Sequence, residues 1–185
     1  MLPAELHGPA LTLAYAGADR VSEFLHHNLL RYPHLDRDFI LQICFEHPHR
    51  FDGLFPRFDV QLHSAPRITR NAAWIRDNVR YDRGEIVDFW CNRFHSLLAR
   101  QETADEVLGP MVRNGTWHFP PVVIESNFAL SLGGPRDIGT PYYLIEGTHR
   151  VSYMRAMIEL EMIPGDRELE LIEVQARNGA EDGQR

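Results

Sequence analysis

The chemically richest stretch of this chain is Glu146-Gly147-Thr148-His149-Arg150, which sets a carboxylate, a glycine, a hydroxyl, an imidazole and a guanidinium side by side. Before it comes an apolar, β-prone run, Pro141-Tyr142-Tyr143-Leu144-Ile145, and after it Val151, Met154, Met157, Ile158 and Met162 recur at helical spacing. The five residues should therefore form a turn between a strand and a helix. At such a turn Gly147 accepts an unusual backbone angle and lets a ligand come close, while Thr148 caps the helix. The first helical amides, the positive end of the helix, His149 and Arg150 would converge on an anion, phosphate above all. Phosphoryl transfer would then use Gly147 and Thr148 as the phosphate cradle, and His149 and Arg150 to neutralise developing charge. Glu146 could hold Mg²⁺, accept a hydroxyl proton or orient Arg150. Glu125, which ends the upstream run Pro121-Val122-Val123-Ile124-Glu125, is the second candidate for the catalytic carboxylate, and the residues leave that choice open.

The elements around this turn follow from periodicity. Val21, Phe24, Leu25 and Leu29 predict a helix over 19–32; Phe39, Ile40, Ile43 and Cys44 predict a second over 35–47, stopping before Pro48. Residues 51–66 read as a loop with one strand at Phe58-Asp59-Val60-Gln61-Leu62. A strongly apolar helix is expected over 84–100, from Ile86, Val87, Phe89, Trp90, Phe94, Leu97 and Leu98. Another should start at Thr103, with Glu106 completing its cap, and stop at Asn114-Gly115. The runs 121–125 and 141–146 read as strands that could pair as neighbours. Glu168 to Val174 alternates like a further strand, and a polar, frayed tail is expected from Ala176.

Composition limits the function. A chain of 185 residues can build one well-buried core and is too short for two full domains. No run approaches the ~20 apolar residues needed to cross a bilayer, and no signal-like start is present, so a soluble cytoplasmic protein without membrane contact is expected. A net charge of −7 argues against a nucleic-acid-coating protein. All 19 basic residues are arginine. The absence of lysine removes Schiff-base and P-loop-lysine mechanisms, so a cationic phosphate contact must be arginine or histidine. Cys44 and Cys91 are expected to be buried thiols rather than a disulfide.

Three other clusters have simpler readings. Cys44-x-x-His47-x-His49 has zinc-ligand types but no obvious fourth ligand, and Pro48 suits a plain turn. Arg67, Arg70, Arg76, Arg80 and Arg83 lie near Trp74 and Tyr81 and could touch a nucleotide tail, but a salt-bridged surface accounts for them. Ser131-Leu132-Gly133-Gly134-Pro135-Arg136-Asp137 reads as a hairpin turn or a phosphate-facing lid.

With Pro120-Pro121-Val122-Val123 upstream, the stretch Tyr143-Leu144-Ile145-Glu146-Gly147-Thr148-His149-Arg150 resembles the core of the ParB/sulfiredoxin-like superfamily, over roughly residues 103–175. The resemblance implies an α+β fold in which a helical N-terminal half packs on a small mixed sheet. It divides the chain into a helical region over 1–102, a nucleotide-binding core over 103–175 and a tail over 176–185. It also implies that a nucleoside triphosphate, ATP or CTP, binds with Mg²⁺ at Gly147, Thr148, His149 and Arg150. Sulfiredoxin activity is excluded because Thr148 stands where that chemistry needs cysteine. Partition proteins carry a downstream basic helix-turn-helix domain that has no counterpart here. The free-serine-kinase branch is nearer in motif, which implies a phosphotransferase or nucleoside triphosphatase with Glu146, Glu125 and His149 as catalytic candidates. The rival reading is a non-catalytic, nucleotide- or anion-responsive module of antitoxin, immunity or regulatory type, whose helical half meets a protein partner or a second copy. A nuclease would need more clustered carboxylates than Glu146 and His149 supply.

Overall fold

The N-terminal residues form helices because their apolar positions recur at helical spacing and their polar ones cap. A computed structural model describes residues 1–81, 84–102, 104–136 and 140–177. Two short 3₁₀ turns, Ala4–Leu6 and Leu13–Tyr15, precede helix α1 (Ala18–Arg31). The Asp36 carboxylate accepts the Asp38 amide at 2.7 Å and so starts α2 (Arg37–Phe39), which widens at once into a π-helix over Ile40–Glu46. Ile40 to Phe45 are all buried there. Pro48 then opens α3 (Pro48–Leu54) at the position where a missing N–H costs nothing.

The chain continues through β1 (His63–Ser64), β2 (Arg67–Asn71), α4 (Ala72–Asn78), β3 (Val79–Arg80), α5 (Gly84–Ala99) and α6 (Leu108–Asn114). It ends with β4 (Val122–Glu125), α7 (Ser126–Ser131), β5 (Tyr142–Glu146), α8 (Thr148–Glu159) and β6 (Glu168–Ala176). The fold is α+β, with eight α-helices and a mixed six-stranded sheet among the described residues. The strand order is β1-β6-β4-β5-β3, and β2 also pairs with β6. Strand β1 runs antiparallel to β6, with His63 opposite Ala176; β3 runs parallel to β5, with Val79 opposite Tyr142.

The chain divides into two compact units. The first comprises Met1–Arg67, Ile124–Asp137 and Ile172–Arg185. Its core is aromatic: Phe51 packs on Phe39, Phe55 and Phe58 at ring separations of 5.0 to 5.7 Å, all four fully buried. The second comprises Ile68–Val123 and Ile138–Leu171. There α5 packs on α8, and Phe94, Leu97, Val151, Met154 and Met157 join Leu144 and Val123 in one buried cluster. Helix α8 is buried on more than one face, since Ser152, Tyr153 and Ala156 are covered as well.

Several sequence expectations need correction. Phe58-Asp59-Val60-Gln61-Leu62 is a turn, not a strand: the Asp59 carboxylate accepts the Gln61 amide at 2.8 Å, and its carbonyl accepts the amides of Leu62 and His63. Phe58 and Val60 are buried nonetheless, which is why the stretch alternates. Helix α6 begins at Leu108, where the Asp105 carboxylate accepts the amides of Val107 and Leu108. Thr103, the expected cap, lies outside the described residues, as do Arg83, Asp137 and the tail from residue 178. The Gly115 stop is observed in the left-handed conformation, with φ +63°. Phe89 does not belong to the buried face of α5, being 60% exposed, and Met162 lies beyond the end of α8.

Candidate functional site

Strand β5 enters α8 through the single residue Gly147, and the local chemistry explains the turn. Gly147 has φ +106° and ψ 27°, a conformation that side chains with a Cβ rarely adopt. A Cβ placed there would sit 2.8 Å from Cβ and 3.0 Å from Cα of Pro121. The glycine is thus required by the close approach of its own chain: Pro121 occupies the space that the sequence assigned to a ligand. Thr148 is likewise corrected, because Gly147 is the N-cap residue and no side chain caps the helix. The first amides of α8 have no acceptor within the helix, as at any helix start, and here no hydroxyl bridges to them.

Arg150 folds back over the turn. One guanidinium nitrogen donates to the Phe119 carbonyl at 2.8 Å, and another lies 3.5 Å from the Glu146 carboxylate. The two side chains are mostly covered, at 13% and 21% exposure, so solvent screens this pair less than a surface pair. Arg150 therefore ties residues 119–121 to the turn, and Glu146 orients it, one of the three roles expected of that carboxylate.

His149 is exposed as a residue, yet its ring lies on the Trp90 indole, with centroids 3.4 Å apart and planes tilted by 41°. On its other side it stacks near Tyr153 at 6.3 Å and 24°. Desolvation by these neighbours pushes its pKa below the ordinary imidazole value, outweighing the opposite pull of the Glu146 carboxylate. The ring is therefore neutral at pH 7. It is suited to accept a proton, and does not supply the positive charge the sequence assigned to it. Burial also raises the Tyr153 phenol, to about 12.

The structure thus brings Glu146, Gly147, Thr148, His149 and Arg150 into one turn. Glu125 belongs to the other compact unit, where it ends β4, precedes α7 and accepts a hydrogen bond from the Asn127 amide at 3.2 Å. A preformed Mg²⁺ site does not fit these residues. No group of three or more metal-ligating side chains gathers among the described residues, and Glu146 is ion-paired to Arg150. Cys44 is sealed inside the π-helix, where burial raises its thiol far above the ordinary value and disfavours a metal-binding thiolate. The arginine stretch is a surface of local partners: Arg67 binds Asp36 and Asp38, Arg70 covers Trp74 at 5.2 Å, and Arg76 pairs with Asp77.

Sequence reasoning missed Pro121, Phe119 and Trp90. Pro120-Pro121 was legible as the start of a strand, but not as the surface that closes on Gly147. Trp90 was read as one more apolar residue of α5. Comparison of the chain with family models, with curated proteins and with solved structures returned no match.

Proposed function

We propose that the β5–α8 turn binds the phosphates of a nucleoside triphosphate, in a domain of ParB/sulfiredoxin-like topology. The observation that carries this reading is the turn itself. A buried strand passes through one left-handed glycine into a 12-residue helix whose first amides stand beside an open, neutral histidine. Helix starts of this kind attract phosphate through their amides and their partial positive charge. Arg150, held by Glu146 and the Phe119 carbonyl, has further donors to offer.

The neutral state of His149 favours an enzyme over a passive module. In the proposed step a hydroxyl or water oxygen attacks the terminal phosphorus and its proton passes to a ring nitrogen of His149. The bond from that phosphorus to the bridging oxygen breaks, and the nucleoside diphosphate leaves. Glu146 acts by positioning Arg150.

Calorimetric titration with ATP, CTP and GTP, together with product analysis, tests this. Arg150→Ala should abolish binding, and unchanged affinity in that variant would sink the reading. His149→Gln should keep binding and lose turnover. Tight binding without product in the wild-type chain would support the regulatory module instead.

A further inference from the structure

We infer that Trp90, with Phe89 beside it, is the wall against which the base of the nucleotide stacks, so that this site selects a nucleoside phosphate over a phosphate lacking an aromatic ring. The inference rests on the phosphate reading of the β5–α8 turn. Its own support is independent of the turn and comes from helix α5.

Trp90 is half-buried and its ring is in contact with His149, the second residue of α8. Phe89 meets the Trp90 ring edge-on at 5.1 Å and is 60% exposed. Most helices bury their largest apolar side chains, yet α5 turns this one outward next to a tryptophan that borders the polar turn. The remaining large residues of α5 behave ordinarily: Phe94 and Leu97 are fully covered, on the face packed against α8. An exposed aromatic pair at the edge of a polar site is a surface of the type that stacks bases, since every base offers a π face.

The surrounding charge agrees with a phosphate ester bound beside the pair. Arg93, one turn beyond Trp90 on α5, exerts its charge on Tyr153, the residue stacked near His149. A ligand with its phosphates at the α8 amides and its base on α5 would thus meet cations at one end and rings at the other. An inorganic polyphosphate would meet only the first.

Tripolyphosphate and a nucleoside triphosphate carry the same charged group, so the difference in their affinity isolates the base. The wild-type chain should bind ATP, CTP or GTP about 10- to 100-fold more tightly than tripolyphosphate, the range expected for one stacked base. Trp90→Leu should reduce that ratio to near one while leaving tripolyphosphate affinity unchanged, and Trp90→Phe should retain most of it. Tryptophan fluorescence should be quenched by the nucleotide and not by tripolyphosphate, and the quench should vanish in Trp90→Phe. Equal affinities for the two ligands in the wild type, or a ratio unaltered in a folded Trp90→Leu, overturn the base wall and leave the phosphate site standing. Binding of neither ligand overturns the phosphate reading, and the base wall with it.

Discussion

Replacing Gly147 by alanine is the sharpest test of the turn, because the structure predicts its cost from two separate sources. The first is the backbone: at φ +106° a residue with a Cβ is strained by about 1 to 3 kcal/mol. The second is steric. The new methyl would lie 2.8 Å from Cβ and 3.0 Å from Cα of Pro121, where carbon atoms prefer about 3.5 to 4.0 Å. Overpacking of that kind costs about 1 to 3 kcal/mol after the surroundings shift. The unfolded alanine chain is less flexible than the glycine chain, which returns about 0.4 to 1 kcal/mol. The net expectation is a loss of about 2 to 5 kcal/mol, a large share of the ~5 to 15 kcal/mol that stabilises a typical domain. Urea unfolding followed by tryptophan fluorescence would read this as a midpoint lowered by about 1 M or more at unchanged slope. Pro121→Gly in the same background removes the clashing atom and leaves the backbone strain. The double-mutant cycle should therefore show a coupling of at least about 0.5 kcal/mol in the direction of rescue. A loss under about 1 kcal/mol for Gly147→Ala, or additivity with Pro121→Gly, would refute the account of why this position is glycine.

Two further expectations concern other sites. His63 is buried against Phe58 and Phe128, its Nδ1 accepts the Asp59 amide at 2.9 Å, and desolvation lowers its pKa. The unfolded chain thus binds the proton more readily than the folded one. The histidine's contribution is complete above its unfolded pKa of ~6.5 and is lost as pH falls below it, with a slope of at most about 1.4 kcal/mol per pH unit. His63→Leu should flatten the decline of the urea midpoint between pH 7 and 5, and an unaltered decline would count against it; His149, also lowered, should leave a residual slope. Arg155 donates from one nitrogen to the carbonyls of Arg76 and Val79, at 2.7 and 3.0 Å, closing the end of α4. Arg155→Met should lose about 2 to 4 kcal/mol through two deprived carbonyls, and a melting temperature within a degree of wild type would contradict that.

The elements that sequence made legible are those whose periodicity and stop signals agree. The stop at Gly115, strands β4 and β5 and the long helices α5 and α8 were expected near the residues where they occur. The short elements were not. Helices α4 and α7 are seven and six residues long, too short for a periodic stripe, and α4 begins on a side-chain cap, Asn71 to the Trp74 amide at 2.7 Å, inside a stretch read only for its arginines. The strand expected over 58–62 failed for a different reason. Alternating burial was read as a strand, when a turn built on Asp59 buries the same two side chains.

At the candidate site, residue types were legible and commitments were not. The adjacency of Glu146, Gly147, His149 and Arg150 pointed to an anion, but an unfolded list of residues cannot say which of them already has a partner. Arg150 has two, the Phe119 carbonyl and Glu146, and both lie on the segments that the turn must hold together. Its fixed fork therefore enters any binding event without first being ordered, which lowers the entropy lost when a phosphate meets the remaining donors. The same bonds mean that removing the side chain deprives a backbone carbonyl as well as a ligand. A binding defect in Arg150→Ala is thus interpretable only beside the variant's unfolding curve, whereas Glu146→Gln, which keeps the Phe119 bond and weakens only the ion pair, separates orientation of the guanidinium from its presence.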